Sequence, residues 1–363
     1  NKEVINDDNS VFSGLTNVNF KIVALLLFTW LLIFYSQRKG TSSMGKFAWV
    51  TALLPYFCLT VLLIGSISQP GAISVGLNKY FTIDWNHLLT TEVWLTAAQQ
   101  VFYSQGAVFG ILVSFASCNK YRMNVFAHNL RLSLINACTS FYAGFLIFST
   151  LGMRAYHVFG DEKSCRDSQL YSNIEQCRVD NALANFKEVV GEGFKLVFVV
   201  YPLAITNMPF SMIWAALFYA MMISIGIGSV MGMVNGVYVG FYEKFEKYLF
   251  KQGEKQQLSN GAESKKSFLQ KFLLVIILIH LILAYPMVTS ASTNWIKIYD
   301  WSLCAISIFL FGFLEILAIS WIYGIDNFIY DIEGMLKEIY PSGLPFRNFL
   351  KFCWKYVTLV MCG

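Results

Sequence analysis

Two stretches of this sequence have the residue types to hold an ion or a small polar solute. The first is QQVFYSQGAVFG, residues 99 to 110, where Ser104-Gln105-Gly106 interrupts a run otherwise apolar enough to cross a bilayer. An unwound backbone is tolerated at membrane depth where it lines a cavity, and its carbonyls and helix ends then coordinate ions and polar groups. The plainer reading is a kink or tight packing at Gly106. The second stretch carries Gly228, Gly232, Gly236 and Gly240 at every fourth residue, with Ser229 beside them. A small-residue stripe lets another helix approach closely, while the Ser229 hydroxyl is an oxygen ligand of the kind hard cations take. Glu315, in FGFLEILAISW, places a carboxylate inside an apolar span, which reads as a functional site or as a hydrogen-bonding brace. His280, in VIILIHLILAYP, reads as a packing residue.

Other chemistries find no support. The sequence has no HExxH, CxxC or GxSxG spacing and no Gly-rich phosphate loop, so neither a metalloenzyme nor a covalent hydrolase is indicated. The net charge of +5 is not gathered into a basic, aromatic-studded patch, which excludes a nucleic-acid partner. Six of the eight cysteines fall in or near apolar runs, where a thiol acts as a small hydrophobe. Cys165 and Cys177 lie in a long polar connection instead, and are either disulfide-bonded or free.

The elements that must position these residues are membrane helices. The chain is 56% hydrophobic and 13% charged, with a mean hydropathy of +0.53, outside the range of soluble domains. Apolar runs close to the ~20 residues that span a bilayer occur near 18–37, 46–66, 94–117, 132–152, 208–240, 268–288, 301–323 and 346–363. These predict an all-α polytopic membrane protein of about eight crossings, since nothing shows the alternation of a membrane barrel. The connections QRKGTSSMGK, NKYRMN and 243–271, the last with seven Lys against four Glu, carry the positive excess of cytoplasmic loops. The alternate connections, 67–93, 153–207 and 289–300, then face outward, and so does residue 1. NKEVINDDNS has no signal-peptide core, so an odd number of spans is expected upstream and the chain reads as a fragment. The outer 153–207 segment is predicted either as a lid of short helices or as an ordinary extracellular loop, and 243–267 as a polar cytoplasmic loop.

The string WLTAAQQVFYSQGAVFGILVSFASCNK, Trp94 to Lys120, resembles the sixth span of the sodium- and chloride-dependent neurotransmitter symporter family. The resemblance continues in order through QPGAISVG (69–76), ITNMPFSMIWAALFYAMMISIGIGS (205–229) and EILAISWIYGIDNF (315–328). It implies one transmembrane transporter domain over 1–363, a partial 5+5 inverted-repeat fold matching spans four to eleven of twelve, with a broken helix at 104–109. It also implies a multi-pass plasma-membrane protein that moves a small amino acid or amine and is embedded in lipid; a homo-oligomer is compatible with it, and the oligomeric state is left open. Sodium and chloride are the coupled ions, with no organic cofactor.

Carried over by motif, Ser104 and Asn136 are ligands of a first sodium site, and the Ile225 carbonyl and Ser229 of a second. Gln100, Ser104, Asn136 and Ser140 match a chloride site of neutral donors. Tyr103 and Phe109 match the aromatic pair lining the substrate pocket, to which Gln105 and Ser229 also contribute. Asp300 and Glu243 fall where the family places acids of its outer and inner gates. Two departures stand out. Gly228 replaces a residue that usually supplies a side-chain oxygen to the second sodium site, and His128 replaces an acid after the sixth span. A non-transporting relative that associates with other copies, or acts as a sensor, is the rival reading.

Overall fold

The computed structural model describes residues 17–38, 41–83, 85–106, 108–117, 119–161, 165, 173–190, 195–249, 262–341 and 343–362. Among the described residues there is no strand beyond one bridge between Val18 and Thr289. Five helices there are long and apolar enough to cross a membrane: Phe20–Gln37, Met44–Ile67, Val125–Phe159, Ser211–Phe241 and Ile308–Leu336.

The remaining apolar runs differ from the eight-crossing expectation for visible reasons. The 94–117 run divides into the helices Thr91–Gln105 and Ile111–Ala116. The 268–288 run lies in the helix Ala262–Leu283, which stops before Pro286. The Val125–Phe159 helix runs past 152, so the 153–207 segment begins as helix. It continues with Ile174–Ala184, Phe186–Val189 and a helical stretch over Leu196–Ile205. The predicted cytoplasmic loop is helical to Leu249 and again from Ala262; 250–261 lie outside the described residues.

The chain divides into two compact units, one of residues 1–47, 90–132 and 229–363, the other of 48–89 and 133–228. In the second, QPGAISVG turns at Gly71, whose φ of +80° suits glycine, into the wide-turned helix Ala72–Leu77. This segment crosses the Val125–Phe159 helix backbone against backbone. A Cβ on Gly76 would lie 2.2 Å from the Phe148 carbonyl oxygen, and one on Gly152 would lie 2.2 Å from the Gly76 nitrogen. Ala72, Val75, Met153 and Ala155 around this crossing are wholly buried.

Hydroxyls stitch the Thr41–Ile67 helix to the same long helix. Tyr56 bonds Thr139 at 2.7 Å, Tyr142 donates to Thr60 at 3.0 Å, and Ser66 donates to Ser149 at 3.0 Å and meets Thr150 at 3.2 Å. Each such bond between membrane helices is worth roughly 0.6 kcal/mol. Cys165 and Cys177 are disulfide-bonded, which resolves the alternative left by the sequence. Beside the bridge, Arg178 donates to the Gly160 carbonyl at 2.9 Å and lies over the Tyr156 ring, whose hydroxyl donates to Glu175 at 2.8 Å.

In the other unit the Phe20–Gln37 and Ala262–Leu283 helices meet through Trp30 and His280, with ring centroids 5.4 Å apart, while His280 Nδ1 bonds the Ile276 carbonyl at 2.8 Å. His280 thus packs within its helix pair. Asp326 is ion-paired with Lys351 at 2.6 Å, joining the Ile325–Leu336 and Arg347–Phe352 helices.

Gly152→Ala should cost at least about 3 kcal/mol, because the new methyl meets backbone that cannot rotate away. Gly226→Ala, with nothing within 4 Å of its Cβ position, should be neutral or stabilising by up to about 1 kcal/mol. Melting of the detergent-solubilised variants measures both, and equal shifts would sink the close-crossing account.

Candidate functional site

The interruption seen in the sequence is a true helix break. The Thr91–Gln105 helix ends at Gly106, held in the left-handed region at φ +63° and ψ 24°. Its N–H reaches back to the Phe102 and Tyr103 carbonyls, each at 3.2 Å, the αL type of helix end that glycine adopts without a Cβ penalty. The next helix, Ile111–Ala116, starts after Gly110, also left-handed at φ +70°. Ser104 and Gln105 therefore occupy the last helical turn, and the interruption itself runs from Gly106 to Gly110, slightly later than the 104–109 expected.

Aromatic rings flank it. Tyr103 and Phe109 meet edge to face with centroids 5.9 Å apart, an arrangement favoured by the ring quadrupoles. Gln100 and Ser104, one turn apart, share a face of the Thr91–Gln105 helix, and both are exposed. The Ser104 hydroxyl donates to the Val101 carbonyl at 3.2 Å, a bond it would give up to donate to an anion, while its oxygen can accept, the role a cation ligand takes.

Asn136 and Ser140 belong to the second unit and repeat the one-turn spacing on the Val125–Phe159 helix, with Asn136 partly buried and Ser140 exposed. Ile225 and Ser229, again one turn apart, lie on the Ser211–Leu249 helix and are exposed. Asp300, at the start of the wide-turned segment Asp300–Ser307, is exposed. Glu243 lies in the Ser211–Leu249 helix, and its side chain is outside the described residues. His128 is exposed. Glu315 is exposed too, on the Ile308–Leu317 helix, not enclosed among its apolar sequence neighbours.

The glycine stripe has a definite purpose over part of its length. A Cβ on Gly236 would come 3.5 Å from the Gly110 carbonyl group and 3.7 Å from the Phe109 carbonyl oxygen, and one on Gly232 would come 3.0 Å from Ile111. The Ser211–Leu249 helix thus lies against the break at both positions, tightly at Gly232 and with room for a methyl at Gly236. Gly228 faces Thr51 Oγ1 at 3.4 Å, and Gly240 has nothing within 4 Å. Between the two packing glycines stands a residue the sequence reading passed over. Asn235, buried, donates to Ser114 Oγ at 3.1 Å, and Ser114 in turn donates to the Ile111 carbonyl at 3.0 Å. The available signal was an amide in the otherwise apolar string SVMGMVNGVYVG. Gln37, equally overlooked, is buried and donates to the Met231 carbonyl at 2.8 Å.

No group of three or more His, Cys, Asp or Glu that could hold a metal occurs among the described residues. Ion binding here would rest on hydroxyls, amides and backbone carbonyls, the oxygen set suited to a hard monovalent cation.

Five long apolar helices, beside a shorter helix pair separated by two left-handed glycines, define a helical membrane protein. The model of the "Sodium:neurotransmitter symporter family" matches residues 3–363, and the chain belongs to that family. It is 32% identical over 342 residues to the sodium-dependent serotonin transporter of Drosophila melanogaster, covering 93% of this chain and 47% of that protein. It is 30% identical over 341 residues to the sodium- and chloride-dependent glycine transporter 1 of Xenopus laevis, covering 94% and 47%. With glycine transporter 2 of the same organism the figures are 28% over 341 residues, covering 94% and 37%. The chain thus spans about half, or less, of the length of these relatives.

Because Gly106 has only the ordinary contact of Ile111 Cδ1 at 3.8 Å, its substitution tests conformation, not space. Gly106→Ala should cost about 1–2 kcal/mol, and Gly106→Asn, whose side chain tolerates the left-handed region, less than half of that. Equal losses in melting free energy for the two would remove the conformational argument.

Proposed function

We propose that the protein carrying this chain is a sodium-coupled, chloride-dependent symporter of a small amino acid, neurotransmitter or related amine, working by alternating access in the plasma membrane. The observation that carries this reading is the glycine-bracketed break at Gly106–Gly110 in a chain of this family, with Tyr103 and Phe109 packed across it. The printed names of the relatives, a serotonin carrier and two glycine carriers, support the substrate class. The disulfide supports an outward-facing 153–207 segment, since such bonds persist in oxidising surroundings, and its short helices then serve as the lid.

In this scheme Ser104 and Asn136 ligate the first sodium ion, and the Ile225 carbonyl and Ser229 the second. Gln100, Ser104, Asn136 and Ser140 hold chloride as neutral donors, which stabilise a halide without a buried cation's desolvation cost. Tyr103, Gln105, Phe109 and Ser229 bound the substrate. Asp300 and Glu243 act in the outer and inner gates. Sodium at the break neutralises the oxygen dipoles left by the unwound turn and favours the outward-open state, and bound substrate then lets the outer gate close. The membrane potential drives the cycle, because one positive charge moving inward releases ~2.3 kcal/mol per 100 mV.

Ser104→Ala should weaken sodium and chloride dependence together, each by on the order of tenfold or about 1.4 kcal/mol, because one hydroxyl serves both ions. Uptake measured across sodium and chloride titrations tests this, and an unchanged dependence on both ions would remove Ser104 from the site. Gly228→Asp, entering a position whose nearest neighbour is the Thr51 hydroxyl at 3.4 Å, should lower the sodium concentration for half-maximal uptake several-fold. A flat response would leave Gly228 as packing alone.

A further inference from the structure

The stretch after the break is short. Ile111–Ala116 is a helix of 6 residues, too short to hold its place by its own hydrogen bonds. Something must fix it if the carbonyls of the interruption are to keep a geometry that an ion can use. On one side it meets the Ser211–Leu249 helix at Gly232, and the end of the break just before it meets Gly236, where packing alone leaves the register along the axis open. The register is set by a directional contact: Asn235 Nδ2 donates to Ser114 Oγ at 3.1 Å, with both residues at or below 5% exposure. Ser114 passes the constraint on, since its hydroxyl donates to the Ile111 carbonyl at 3.0 Å and its N–H bonds the Gly110 carbonyl at 3.0 Å. From the other side, Gln37 donates to the carbonyl of Met231, one turn before Asn235. A chain of contacts therefore runs from the end of the Phe20–Gln37 helix, through one turn of the Ser211–Leu249 helix, to the first turn beyond the break.

We propose that Asn235 is a positioning residue for ion binding: its hydrogen bond to Ser114 locks the half-helix Ile111–Ala116 in register and so fixes the backbone of the Gly106–Gly110 interruption. This rests on the proposed role of that interruption in holding sodium. Asn235 itself touches no ion. It acts through Ser114 and the carbonyls that Ser114 restrains. The hydrogen bond is directional in a seam that is otherwise apolar, and its low-dielectric surroundings make its loss costly to register.

The test uses the protein that carries residues 1–363, purified into lipid nanodiscs, with Asn235→Leu, Ser114→Ala and the double variant. Asn235→Leu is nearly isosteric and leaves the Ser114 hydroxyl its bond to Ile111, so folding is retained; Ser114→Ala breaks the same contact from the other end. Hydrogen exchange of the amides at 108–116 should accelerate about tenfold in either variant, with exchange across 20–37 unchanged. Binding of radioactive sodium should weaken at least fivefold, and the double variant should be no worse than the weaker single one. Unchanged exchange at 108–116 would overturn the lock. Faster exchange with unchanged sodium affinity would also overturn the proposal, because the bond would then be structural only. If the unsubstituted protein binds no sodium, the reading of the interruption as an ion site fails and this proposal fails with it, whereas sodium binding that is indifferent to Asn235 sinks the proposal alone.

Discussion

A broken helix in a membrane protein creates a demand that the bilayer cannot meet: backbone N–H and C=O groups at the break must find partners within the protein or on a ligand. Much of the first unit is arranged around that demand. Gly106 turns its own N–H back onto two carbonyls, and Gly110 gives its carbonyl to Ser114. The Ser211–Leu249 helix closes against the carbonyls of Phe109 and Gly110 by offering glycine there. A methyl there would still make ordinary contact at 3.5 Å, but a longer side chain would hold that helix off. Among the described residues, the neutral Asn235 and Ser114 bond to each other beside the break, so polarity enters there without a fixed charge and without the large desolvation cost of a buried carboxylate.

The second unit meets the membrane differently. Its helices are joined by a run of hydroxyl pairs and by the glycine crossing of Gly76 on Gly152, and the end of its long helix is tied by the Cys165–Cys177 bridge and the Arg178 contacts. Each hydroxyl bond is modest alone. Together with backbones in contact they leave little room for sliding, since any shift along the axis breaks several of them at once. The two units thus contain opposite devices, one a deliberate interruption held in place and the other an uninterrupted seam.

How much of this was legible in the sequence depended on the range of the interaction. The break was legible because Gly106 and the polar pair before it act locally, through φ and through helix propensity. The disulfide was legible only as an alternative, since pairing needs the fold to bring Cys165 within reach of Cys177. The stripe was visible as spacing, yet spacing does not say which members are used: Gly232 and Gly236 pack on the break, Gly228 meets Thr51, and Gly240 meets nothing within 4 Å. Glu315 shows the same limit from the other side. Apolar neighbours in sequence place it in a candidate span but do not say which face it takes: a helix turns successive residues by about 100°, and this one lies on an exposed face of that span.

Asn235 was missed for a related reason. A single amide in an apolar run has no periodicity to reveal it, and its meaning comes from Ser114, 121 positions away in the chain. Close approach of two helices through glycine is permissive: it allows a range of registers that differ little in energy, because small side chains interlock weakly. One hydrogen bond between them converts that range into a single setting. If the carbonyls of the interruption hold an ion as proposed, the residue that selects the setting matters as much as the residues that supply the oxygens.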